Sequence, residues 1–384
     1  MSCPQSHTGT LRELISLFLK LGFIGFGGPA ATIAMMDDEV VSRRNWLSRE
    51  HFLDLVGATN LIPGPNSTEM AMHVGYERRG LAGLAVSGTA FIVPAALMTG
   101  TMGALYAAYG STPEVEPFLA GIKPAVIAII LGALLRLGKT ALKSISLVPI
   151  GIGVGVALLF GVSEIVALLG GGILGMAWLG SLRLRAPSAG GFILAAPFSL
   201  SSYLVQAAPP DVPLWKLGLF FLKVGSVLYG SGYVLIAFLE GNLVTDWGWL
   251  TEQQLLDAVA IGQVTPGPVL TTATFIGVFL AGIPGGIVAT VAIFVPSFVF
   301  TAILNPIIPK LRHSAVMASF LDAVNVSALA LMLVVTVELG IAVLTLWPAW
   351  TVFVLSAVSV FRWRLNAAYV VTGSAVIGWA LQLI

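Results

Sequence analysis

The sequence predicts an all-α polytopic membrane protein made of two inverted-topology repeats, each with two broken re-entrant helical hairpins followed by full transmembrane helices. Three observations carry that prediction. Of 384 residues, 57% are hydrophobic and only 10% charged, whereas a soluble domain carries about 25% charged residues. Pro-Gly-Pro occurs at 63–65 and again at 266–268, both times inside a long apolar run. Basic residues also change sides between equivalent loops of the two halves.

So few charges cannot cover a water-facing surface, and apolar runs of spanning length recur almost to the last residue. A span needs about 20 residues, and a barrel strand would be shorter and would alternate polar with apolar. A helical bundle follows, because lipid cannot satisfy free backbone groups. The start, MSCPQSHTGTLRELISLF, has no basic n-region and no small-residue cleavage site, so it reads as a short cytoplasmic tail. A single cysteine, Cys3, excludes an internal disulfide and a cysteine metal cluster.

Laying residue 18 on residue 221 aligns the halves without a gap through the second Pro-Gly-Pro, with 16 identities over residues 18–65. FLKLG (18–22) meets FLKVG (221–225), NWLS (45–48) meets GWLT (248–251), and Asp54 meets Asp257. Leucine and valine match by composition alone, but lysine, tryptophan, aspartate and Pro-Gly-Pro in one register do not. After one dropped residue, IVP (92–94) meets FVP (294–296). The repeats are set at 1–209 and 210–384.

The elements follow in order from the charges. Arg43, Arg44 and Arg49 lie at one end of both 14–36 and 52–77, while Arg12 and Arg78-Arg79 close the other ends. Basic residues in short loops mark the cytoplasmic side, so both segments begin and end there, each broken near its middle. They are expected to be re-entrant hairpins. Full spans are expected at 80–109, 118–136, 146–162, 164–181 and 190–208. The second copy then runs inverted, with hairpins at 217–239 and 255–281 and spans near 283–304, 318–336, 342–361 and 366–384. Its loop 240–255 holds Glu240, Asp246 and Glu252 and no base, where the first copy has arginines. Lys310 and Arg312 in turn face Glu114 and Glu116, and Arg136, Lys139 and Lys143 face a stretch without a base. Arg362 and Arg364 come out cytoplasmic and the C-terminus periplasmic or extracellular. Inverted repeats with broken helices are a building plan of secondary transporters.

Broken helices at membrane depth are tolerated only where they are buried in protein or line a wet cavity. Pro65 and Pro268 suit the first position of the half-helix that follows, where a missing N–H costs nothing. The amides of 66–68 and 269–271 would then be uncapped, and a helix start is an anion site. Two such starts brought together near the midplane make an anion-binding site of Pro63, Gly64, Pro65, Pro266, Gly267 and Pro268. Around them stand Asn60, Asn66, Ser67 and Thr68 in one copy and Gln263, Thr265, Thr271 and Thr272 in the other. Gly27, Gly28 and Gly230 mark the first breaks of the two copies. GSG (230–232) replaces GGP (27–29), so the two hairpins need not contribute equally.

Lys20 and Lys223 occupy equivalent places before the first break. A lysine at bilayer depth costs about 2.5–3.5 kcal/mol, which leaves snorkelling, a structural pair or ligand binding as its reason. Glu69, with Thr272 as its counterpart, is a proton-coupling candidate or a structural cap or ion-pair partner; His73 is its candidate partner one turn on. Asp54 and Asp257 read as caps or pair partners near hairpin ends, or as gating residues. Asp37-Asp38-Glu39 reads as a solvated loop, not a metal site. The GFGG at 25–28 has no βαβ unit around it, so it is not a nucleotide-binding turn. No cofactor is expected.

The runs FLKLGFIGFGGPAATIAMM (18–36), NWLS (45–48) and FLDLVGATNLIPGPNSTEMAMHVGYERRG (52–80), with FLKVGSVLYGSGYV (221–234) and TPGPVLTTATFIGVFLAG (265–282), closely resemble the chromate ion transporter family in its long, two-domain form. The resemblance implies a bacterial inner-membrane carrier that exports chromate and confers resistance to it, with sulfate-like oxyanions taken by related members. Expected partners are the oxyanion, the lipid bilayer and, as one admissible assembly, a second copy of the chain; nucleic acid is not among them. Rival readings are an anion channel, a carrier of sulfate or another small anion, a lipid-head-group translocase and a membrane enzyme. The four histidines form no metal-spaced pair and no serine–histidine or cysteine nucleophile pattern occurs, which speaks against the enzyme.

Overall fold

A computed structural model describes residues 10–26, 28–59, 62–110, 112, 115–183, 212–229, 232–305 and 315–382. Among these residues the secondary structure is helical throughout, and the helices come in the same order twice. The first series is α1 (Leu11–Ile24), α2 (Gly28–Asp37), α3 (Arg49–Thr59), α4 (Asn66–Tyr109), α5 (Glu116–Ala141), α6 (Val148–Leu159) and α7 (Glu164–Arg183). The second is α8 (Leu214–Val227), α9 (Val234–Leu239), α10 (Glu252–Val264), α11 (Thr272–Leu304), α12 (Ala315–Val343), α13 (Trp347–Phe361) and α14 (Ala367–Gln382). A π-helical turn follows the second helix of each series, at Asp38–Arg43 and Glu240–Asp246.

Local chemistry sets the ends. Thr10 and Thr251 each close a capping box, with Glu13 and Gln254, satisfying two of the amides a helix start leaves open. α1 ends at Gly25 and α8 at Leu228, both with non-helical backbone.

The long helix α4 is in fact a helical hairpin. Arg79 (φ −149°) and Gly80 (φ 58°, ψ −147°) leave the helical region. The chain then folds back so closely that a Cβ on Gly75 would strike the carbonyl of Gly83. α11 does the same at Ala281 and Gly282 (φ 65°), with Gly277 against Gly285. Left-handed backbone costs glycine little and other residues more, so the sequence places glycine at both folds. The return limbs are helical over 81–109 and 283–304, the residues for which spans were expected at 80–109 and 283–304.

The first helix of each series packs on the return limb of its own series through a glycine. Gly22 lies against the Phe91 carbonyl and Gly225 against the Ile293 carbonyl. Across the series, Gly103 of α4 lies against the Phe275 backbone of α11. Phe91, Phe221, Phe238 and Phe275 are fully buried, while Leu97, Ile152, Ile283 and Ile341 are more than half exposed. Large apolar side chains inside and outside alike are what a bundle in lipid requires. Four helical stretches are long and apolar enough to cross: Asn66–Tyr109, Glu116–Lys139, Val269–Ile303 and Ala318–Val343. The chain is an all-α polytopic membrane protein.

Several expectations change. α6 and α13 have 12 and 15 residues. At 1.5 Å per residue they reach only about 18–23 Å, short of the full crossings expected at 146–162 and 342–361. The span expected at 366–384 is helical over Ala367–Gln382, the described part of it. Pro149 and Pro348 fix late starts for α6 and α13, since proline belongs in a helix's first turn. Residues 37–39 are helical and not a loop, with Asp38 exposed as expected but Glu39 buried in the π-helical turn. The expected span 190–208, together with Cys3, Gly27, Asn60, Gly230, Lys310 and Arg312, lies outside the described residues.

Candidate functional site

Each Pro-Gly-Pro turn docks on the break of the other series. Gly64 N donates to Leu228 O at 2.7 Å, and Gly267 N donates to Gly25 O at 3.0 Å. The donors are equivalent glycines and the acceptors equivalent helix ends, so the pair of bonds is reciprocal. Both glycines have positive φ, 145° and 98°, which points their amides at the neighbouring helix end. Pro63 and Pro65 flank the first turn and Pro266 and Pro268 the second. Their rings fix φ and carry no N–H, leaving glycine the donor between each pair.

The prolines stand one place earlier than expected. Pro65 (ψ 103°) and Pro268 (ψ 128°) are extended N-cap residues, not first helical ones, and no side chain caps either start. The two starts differ. In the first, α4 begins directly at Asn66, and the Thr68 and Glu69 amides turn back to the Pro65 carbonyl at 2.8 and 3.0 Å. In the second, a 3-10 turn (Val269–Thr271) comes first. There the Thr271 amide and hydroxyl both bond the Pro268 carbonyl, and the Thr272 hydroxyl bonds Val269 O. The expectation that all of 66–68 and 269–271 stand uncapped is therefore trimmed. Thr68 and Thr271 turn their amides onto the carbonyl three residues back, as the last N–H of a tight first turn does. Thr265 likewise turns its hydroxyl to Ile261 O at 2.7 Å.

A buried polar column runs from the first turn. Ser67, Thr68, Glu69 and His73 on α4 are at most 3% exposed. A Cβ on Gly64 would strike both Glu69 Oε1 and Ser297 Oγ, so turn, carboxylate and hydroxyl meet at one point. His73 faces Asn305, and Thr301 lies between Ser297 and Asn305 on the same α11 face. Among the described residues no cation pairs with Glu69. Ser297, Thr301 and Asn305 escaped the sequence reading, although polar residues four apart in an apolar span were a signal for them.

The other named residues lie elsewhere. Lys20 Nζ donates to Glu39 Oε1 at 2.6 Å, and Arg43 and Arg44 approach the same carboxylate at 3.5 and 3.3 Å. The Lys20 hydrogen bond is the main reason that Glu39 titrates below its ordinary value of 4.5, with burial opposing it. Lys223 is exposed, and the counterpart of Glu39 is Asn242, which donates to Glu164 at 3.4 Å. Asp257 accepts from Tyr106 at 2.7 Å, a bond between the two series. Asp54 adds charge near His51. Gln263, 8% exposed, accepts from the Tyr233 hydroxyl at 3.3 Å while its Nε2 has no partner. Gly28 has φ 79°, which suits the reversal after the first break.

The ends of the expected hairpins also meet. His51 pairs with Glu77 at 3.3 Å and Arg78 with Glu13 at 4.0 Å. Trp46 lies under both Arg44 and Arg78, 5.1 and 4.6 Å from their charges. Lys216 over Trp247 and Trp249 is the second-series equivalent, at 4.3 and 5.2 Å. Among the described residues no cluster of three metal-ligating side chains occurs.

The family model described as chromate transporter matches residues 12–176 and again residues 215–379. The chain is 30% identical over 381 residues to a chromate transport protein of Cupriavidus metallidurans, covering 98% of this chain and 94% of that one. It is 33% identical over 366 residues to a probable chromate transport protein of Synechococcus elongatus, covering 93% and 91%. An uncharacterized transporter of Bacillus subtilis, YwrA, is 29% identical over 151 residues, 38% of this chain but 85% of its own length. No solved structure matches.

Proposed function

The chain belongs to the chromate transporter family, and from that premise we propose that it exports chromate, or a sulfate-like dianion, across the inner membrane. The oxyanion is held at the two half-helix starts beside the Pro-Gly-Pro turns. The observation that carries this reading is the reciprocal pair Gly64–Leu228 and Gly267–Gly25. It ties two helix starts that no side chain caps into one unit, and such starts favour anions.

The same reading makes 14–36 and 52–77 re-entrant hairpins, as the His51–Glu77 and Glu13–Arg78 pairs at their ends support. The repeats, 1–209 and 210–384, are inverted, with arginines at one set of equivalent loops and acids at the other. Export suits the energetics. A unit charge crossing 100 mV is worth about 2.3 kcal/mol and a dianion leaving a negative cytoplasm gains about twice that.

Glu69 and His73 are assigned to proton coupling. An anion about 4 Å from an ionised carboxylate costs about 4 kcal/mol per unit charge at an effective dielectric of about 20. A proton on Glu69 removes that repulsion, and His73 leads it along the column towards Asn305. Asp257, held by Tyr106, and Asp54 are assigned to gating.

The test is uptake of radiolabelled chromate into inverted membrane vesicles under an imposed potential, with unlabelled sulfate as competitor. Saturable uptake above empty vesicles is expected. No uptake by correctly inserted protein would overturn chromate export, and unsaturable conductance would make the protein a channel.

A further inference from the structure

Arg136 and Arg364 border one cavity of about 330 Å³, together with Phe26, Gly28, Tyr233 and Gln263. Arg136 comes from α5, Arg364 from the turn between α13 and α14, Phe26 and Gly28 from the first break of the first series, Tyr233 from the start of α9 and Gln263 from the end of α10. Two guanidiniums on one cavity repel each other unless an anion lies between them. Among the described residues neither arginine has an ion pair, and no carboxylate lines the cavity. Gln263 adds a donor. Tyr233 holds its Oε1, and its Nε2 is buried without a partner. A buried donor left unbonded is costly, and Gln263 stands on the same wall as the two arginines, both of which are exposed residues.

Arg364 has φ 53°, a left-handed backbone. In the turn between α6 and α7, the first-series equivalent of the turn between α13 and α14, it is Gly161 that has a positive φ, 78°. The first series uses glycine for this turn and the second an arginine. The cavity at the Tyr106–Asp257 contact has the opposite lining, with Glu116 and Asp257 for one lysine, Lys123.

We propose that the Arg136–Arg364 cavity is a second, cytoplasm-facing site for a tetrahedral oxyanion dianion, which passes from it to Gln263 and the second Pro-Gly-Pro turn. It rests on the transport reading above for its substrate and its sidedness. At about 30 Å³ per water, the cavity holds the ion with part of its hydration shell, so it is a loading site preceding full desolvation. Guanidinium forks match the oxygens of such an ion better than ammonium groups do.

The experiment uses the full chain in nanodiscs, for binding of radiolabelled sulfate and chromate, and in inverted vesicles, for uptake. Arg136→Gln and Arg364→Gln are each expected to raise the half-saturating concentration about tenfold with little change in maximal rate. Arg364→Lys recovers part of the loss, and Arg362→Gln, two residues away and outside the cavity, changes nothing. Wild-type uptake with unchanged half-saturation in both glutamine variants would overturn the loading site and leave the carrier standing. Absence of wild-type binding and uptake would overturn both. Loss of sulfate binding when phosphatidylglycerol replaces zwitterionic lipid, restored in the glutamine variants, would assign the cavity to a lipid phosphate and overturn the free-oxyanion site. Size-exclusion profiles like the wild type's confirm that the variants fold.

Discussion

Gly64 and Leu228 are joined by a 2.7 Å backbone hydrogen bond, and their equivalents Gly267 and Gly25 by one of 3.0 Å with donor and acceptor exchanged between the repeats. Each bond ties a turn that only glycine can make to a helix end that would otherwise keep an unpaired carbonyl. The two breaks therefore brace each other across the repeats. A carrier that alternates between two faces needs coupling of this kind between its halves.

Replacing Gly64 by alanine follows directly. The new Cβ would meet Glu69 and Ser297 at a φ of 145°, with strain of about 1–3 kcal/mol. Gly267→Ala would meet Ala95 Cβ at 2.7 Å. Both variants are expected to melt several degrees lower and to lose transport. Wild-type uptake in Gly64→Ala would remove the crossed turns from the mechanism.

Glu69→Gln keeps the shape of the column and removes its ionisable carboxyl. Transport is expected to survive with its dependence on pH flattened, because the repulsion that a proton must cancel is gone. Uptake measured between about pH 6 and 8 in wild type and variant reads this. Parallel profiles would return Glu69 to a structural role.

Lys20 tests the other use of a membrane lysine. If it serves Glu39, Lys20→Met loses a modest amount of stability, about 1 kcal/mol or less for a half-exposed lysine. Adding Glu39→Gln should recover it, since the second repeat already has a neutral Asn242 there. Melting temperatures of the four members of that cycle decide. Transport lost in Lys20→Met and not recovered in the double variant would make Lys20 an anion ligand instead.

His51 provides a pH-dependent brace. Glu77 raises its pKa above 6.5, chiefly through their hydrogen bond and against the effect of burial. A raised folded value means the contribution is full below 6.5 and lost as pH rises through the folded value. The melting difference between wild type and His51→Gln should thus be larger near pH 6 than near pH 9. A difference that grows with pH would contradict the pairing.

Much of this architecture was legible because polar residues in an apolar chain act as register marks. Lys20, Trp46, Asp54 and the first Pro-Gly-Pro each have a twin 203 residues on, and hydrophobic drift cannot mimic them. Gly80 and Gly282 were visible as limits of helices, though not as tight folds, because a fold-back depends on contacts such as Gly75 with Gly83. The crossed Gly64–Leu228 bond had no local signal, since no sequence period links a turn to a helix end in the other repeat. Glu39 was misread for a similar reason: its shortest partner, Lys20, lies 19 residues away, although Arg43 at i+4 was within helical reach. Arg136 and Arg364 were read for topology alone, because their common cavity exists only after folding.

Sidedness is the prediction on which the inverted repeat stands. Cys3 is the chain's one cysteine, so Cys3→Ser supplies a background for single labelling sites. Ser42 and Thr245 are equivalent at the offset of 203, and both are exposed in the π-helical turns. In an inverted pair they face opposite compartments, so Ser42→Cys should react with an impermeant maleimide only in inverted vesicles. Thr245→Cys should react only in right-side-out ones. The arginines beside Ser42 and the acids beside Thr245 support that assignment, because basic loops stay on the cytoplasmic side. Labelling of both from one side would make the repeats parallel. The two helix starts would then enter from the same face and could not share one anion at the midplane, which ends the site as well as the topology.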